Sequence, residues 1–68
     1  MTQNEQKLLD LAEKTMLRFA QTGDRMVFGR LEGIADALEA LGLDEARNAL
    51  ADLSQKHHDA MARQTEDY

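Results

Sequence analysis

Cysteine is missing from this 68-residue chain, and so are proline and tryptophan. Without cysteine there are no disulfides, no thiolate metal sites and no redox clue to a compartment. Without proline, nothing forces a helix to break. Aromatics make up 4% of the residues, so few side chains suit strands. No apolar run is long enough to cross a bilayer, and the opening residues lack the basic and apolar regions of a secretory signal, so the chain reads as soluble and cytoplasmic. Positive charge is scarce too: 8 Lys and Arg stand against 13 Asp and Glu, a formal net charge of -5. Affinity for nucleic acid rests on clustered cations, and here they are scattered among acids, which argues against a surface that tracks phosphates.

What remains is rich in helix formers: Ala, Leu, Glu, Gln, Arg and Met. The expected fold is all-α, with three antiparallel helices over about 4–22, 25–41 and 44–63. They form one small helical bundle spanning 1–68, with frayed ends at about 1–4 and 64–68. A domain this short sits near the lower limit for folding unaided, so its core is expected to be completed by dimerisation or by a partner.

Thr2 and Glu5 have the spacing of a capping box, and Asn4 is a second possible N-cap, so helix 1 opens near residue 3 to 5. Leu8, Leu9, Ala12, Met16, Phe19 and Ala20 then fall on one side of it, with Leu11 and Thr15 flanking. Gly23 suits a left-handed position after the helix, and Asp24 suits the N-cap of the next.

Helix 2 is the centre of the chain. Val27, Leu31, Ile34, Leu38 and Leu41 recur at alternating spacings of four and three, a heptad seam. A rival reading breaks the helix at Gly29, but the seam runs across that glycine and favours continuity. Met26, Gly29, Gly33, Ala37 and Ala40 form a second, small-residue stripe on another side. Small residues at this spacing let helix backbones approach closely. The stripe therefore meets either helix 1 of the same chain or a second polypeptide. Glu32, Asp36 and Glu39 form a charged rim beside it, either solvated or paired with Arg25, Arg30 or Arg47.

Leu41-Gly42-Leu43-Asp44 carries the signature of a Schellman motif, with Gly42 left-handed, Leu43 folding back on Leu38, and Asp44 as N-cap of helix 3. The seam of helix 3 is Ala46, Leu50, Leu53, His57, Ala60 and Gln64. Asp10–Lys14, Asp52–Lys56 and Asp59–Arg63 are acid-first pairs at i,i+4.

No catalytic, cofactor or metal constellation emerges. Ser54 is the only serine and lies in a helix without a nucleophile elbow. His57 and His58 are neighbours and point about 100° apart on a helix. Neither has a carboxylate at ligand spacing, so His57 reads as a half-buried polar residue with one partner. Residues 34–53 superficially suggest a helix-turn-helix. However, Leu38 fills the position that needs a small residue, and Asp44 and Glu45 open the would-be recognition helix. The hairpin of helices 2 and 3 is similar in layout and size to the α-hairpin dimers of plasmid copy control, with no functional residues in common.

The expected function is that of a small acidic, non-enzymatic protein-interaction module: an adaptor, regulator or inhibitor that is also a homodimer. Met26, Gly29, Gly33, Ala37 and Ala40 are its expected contact face, and Glu32, Asp36 and Glu39 its rim. No membrane, cofactor or metal is expected. The alternative is a nucleic-acid-associated α-hairpin dimer or a small acidic nucleic-acid mimic.

Overall fold

Thr2 starts the first helix as its spacing predicts. Its hydroxyl accepts from the Glu5 amide, and the Glu5 carboxylate accepts from the Thr2 amide at 2.7 Å. The structure is a computed structural model that describes residues 1–65. Helix α1 covers Gln3–Thr22, α2 Arg25–Ala40, α3 Asp44–Lys56 and α4 His58–Thr65. Among the described residues there is no strand. The chain is an all-helical small bundle, with α1 packed against each of the other three helices.

Both turns are built by glycine. Gly23, at φ 66°, ends α1, and its amide donates to the Phe19 carbonyl. Asp24 then caps α2 by accepting from the Met26 amide at 2.9 Å. Helix α2 passes through Gly29 without interruption. It ends in the expected Schellman pair, Leu43 N–H to the Leu38 carbonyl and Gly42 N–H to the Glu39 carbonyl, with Gly42 at φ 68°.

The core is one cluster: Leu9, Ala12 and Met16 from α1, Leu31 and Leu38 from α2, and Ala46 and Leu50 from α3. Ile34, Leu43, Leu53 and Met61 pack around it. Phe19 and Phe28 close the α1–α2 turn, their rings tilted at 46° with centroids 5.1 Å apart.

Five expectations are corrected. Residues 44–63 do not form one helix, because the backbone leaves helical dihedrals at His57 (φ -103°, ψ 11°). The His57 ring is tethered to α1 through Glu13, so a tertiary contact outweighs helix continuity at this point of the seam. Leu41 is not a seam residue but is 71% exposed. Helix α2 stops at Ala40, and the Gly42 turn sends Leu43 to the core in its place. Asp44 does not cap α3. It is the first helical residue, and Leu43 occupies the cap position without a side-chain bond. The outer helix bounds lie beyond 4 and 63, because Thr2 caps α1 from Gln3 and helical backbone runs to Thr65, with the Gln64 amide donating to the Ala20 carbonyl at 2.7 Å. Of the expected frayed ends, residues 66–68 lie outside the described residues. Finally, Lys56 reaches Glu13 at 3.4 Å rather than Asp52.

Candidate interaction surface

Helices α1 and α2 are joined by a two-residue turn and lie side by side. The seams of both, Leu9, Ala12 and Met16 on one and Leu31 and Leu38 on the other, share a single core with α3. The side of the α1–α2 pair that α3 and α4 do not cover is a groove of about 670 Å³. Its floor is Leu8, Leu11 and Thr15 from α1 and Gly33, Ile34 and Ala37 from α2. Lys14, Arg18 and Arg30 stand around it. No residue of α3 or α4 lines it.

The electrostatics of this face run against the net charge of the chain. Three of its eight cations gather around one apolar floor. Among the described residues, none of the three has an ion-pair partner. Glu32 and Asp36, on the flank of α2 away from α1, are likewise unpaired. Glu39 meets Arg47 at 3.7 Å, both side chains more than half exposed.

The small-residue stripe does not receive α1. Met26 is 75% exposed, and Gly29, Gly33, Ala37 and Ala40 are all exposed. A methyl group added at Gly29 or Gly33 would meet no atom within 4 Å. The leucine seam serves both neighbouring helices, which leaves the stripe to solvent. Of the stripe, only Gly33 and Ala37 reach the groove.

The α1 half of the surface has no counterpart in the expected contact face. Leu11, 53% exposed, passed as a flanking residue of the α1 stripe. The signal that marks this half is Leu8, Leu11 and Thr15 at spacings of three and four, along the edge of the core stripe, with Lys14 and Arg18 alongside at i,i+4.

No protein-family model, curated protein or solved structure matches this chain.

A polar cluster lies elsewhere, at the joint of α3 and α4. His57 Nε2 is 2.9 Å from Glu13 Oε2, and Lys56 Nζ is 3.4 Å from the same oxygen. The hydrogen bond from His57, and then that from Lys56, hold the Glu13 carboxyl below its ordinary value. This cluster ties α1 to the joint and gives His57 the single partner expected of it. Among the described residues, no three His, Cys, Asp or Glu side chains are grouped to hold a metal.

Proposed function

We propose that this chain is a small, non-enzymatic protein-interaction module whose docking surface is the open α1–α2 groove. The observation that carries this reading is an apolar floor left uncovered on one side of a helical pair whose other side shares a core with α3. Such a floor in a small bundle is a helix-sized vacancy, and an amphipathic helix laid into it meets apolar side chains with charged groups at the rim. Gly33 and Ala37 lower one wall, so a docking helix can approach the α2 backbone closely. The cationic rim gives preference to a helix with acidic flanks. Met26, Gly29 and Ala40 extend the contact surface along α2, and Glu32, Asp36 and Glu39 form its acidic border.

Site-specific photo-cross-linking tests this reading. A photoreactive residue at Ala37 should give a discrete adduct with a polypeptide, a second copy included, in the cells that make the chain. The same residue at Asn48, exposed on α3, should not. Equal cross-linking at both positions, or none at Ala37, overturns the reading.

A further inference from the structure

We infer that the groove is filled by α2 of a second copy of this chain, in a parallel, two-fold arrangement. The inference rests on the docking reading above and names its occupant. Helix α2 carries what the groove asks for: a stripe of Gly29, Gly33 and Ala40, open to solvent, beside two unpaired acids, Glu32 and Asp36. The groove presents the complement, an apolar floor with unpaired Lys14 and Arg18 on α1.

Symmetry decides the orientation. When α2 of each copy lies in the groove of the other, the two α1 helices sit on opposite sides of the central α2 pair. A two-fold axis running along the helices produces this, and the two α2 helices are then parallel. Such an axis keeps every residue at its own height. Lys14 and Arg18 line the same groove as Arg30, Gly33 and Ala37, so they are level with the middle of α2. Glu32 and Asp36 of the second copy therefore come level with them, and opposite charges meet on both sides of the dimer. An antiparallel α2 pair places each α1 on the same side, so the basic flank faces the basic flank and the acidic faces the acidic. In the parallel form Arg30 comes level with its own copy across the axis, one like-charge approach set against the opposite charges that meet on both flanks, and on that balance the charge distribution selects the parallel form.

The absence of cysteine makes the test direct. Gly33→Cys and Ala37→Cys, the two small residues of α2 that line the groove, are made separately, with Asn48→Cys as control. In the parallel dimer both positions on α2 meet their own copies, so both variants should oxidise to covalent dimers while Asn48→Cys forms no covalent link. An antiparallel pair brings at most one of the two to its own copy. Light scattering on a sizing column should give twice 7.7 kDa for the natural chain. Reversing Lys14 and Arg18 to Glu should weaken the dimer by about tenfold or more. Adding Glu32→Lys and Asp36→Lys to that variant should restore it. A monomer at every concentration overturns the inference, as does a dimer that cross-links at only one of positions 33 and 37 or at neither. If the chain is monomeric while Ala37 cross-links to a different polypeptide, the second copy is excluded and the docking reading stands.

Discussion

Leu38 and Gly33 lie on the same helix, five residues apart, and meet opposite fates. Leu38 is fully buried against α1 and α3, whereas Gly33 faces an open groove with nothing near it. Both sides of α2 are regular enough to pack, so helical periodicity alone does not choose between them. Side-chain size does. Burying a Leu or Val contributes about 1.5–3 kcal/mol, whereas Gly and Ala contribute little unless another backbone comes close. Within one chain α1 and α3 take the leucine side, and the side that rewards only close backbone approach is left over.

The contrast can be broken most forcefully at Leu38. Leu38→Ala should cost about 2–5 kcal/mol in urea unfolding, most of what a core this size supplies. An unchanged midpoint would show that the buried side of α2 is not what holds the bundle. Glycine sharpens the comparison next. Gly42→Ala should cost about 1–2 kcal/mol, because φ 68° is strained for any residue with a Cβ. Gly33→Leu should do the reverse: diluted to monomer, it should gain up to about 1 kcal/mol in thermal unfolding from helix propensity. The same change should abolish the proposed dimer, as read by light scattering. A Gly33→Leu chain that gains stability and also keeps its assembly state removes the open side of α2 from any close contact.

The smallest expected effect lies at the α3–α4 joint. Glu13 is held below its ordinary value of 4.5 by His57 and Lys56. A carboxyl depressed in the folded state adds stability above its unfolded value and loses it as the pH falls through the folded value. Melting temperatures of the natural chain and of Glu13→Gln should therefore differ above pH 4.5 and converge as the pH drops. Parallel curves throughout would mean that the joint is set by packing alone.

Much of the bundle was legible before any helices were placed in space. The capping box at Thr2, the turns at Gly23 and Gly42, and an α2 unbroken at Gly29 all follow from residue types at fixed spacing. The seam was legible too, except at Leu41, where a turn of the chain competes with periodicity. The site was legible in part. Gly33 and Ala37 stood out by size, whereas Leu11, Lys14 and Arg18 look like ordinary surface residues of α1 until α2 lies beside them. Likewise, nothing within four residues of His57 points to Glu13, which is 44 positions away.

The division has a physical basis. The sequence by itself determined where helices begin, turn and end, because caps, left-handed glycines and hydrogen-bonded turns are settled among residues a few positions apart. Tertiary structure alone decided that the small-residue side of α2 is left open rather than covered by α1, where the third predicted helix divides, and which cations gather around the groove. Each of these is a competition between distant surfaces for the same contact, and its outcome depends on volumes and charges that meet only when the helices pack.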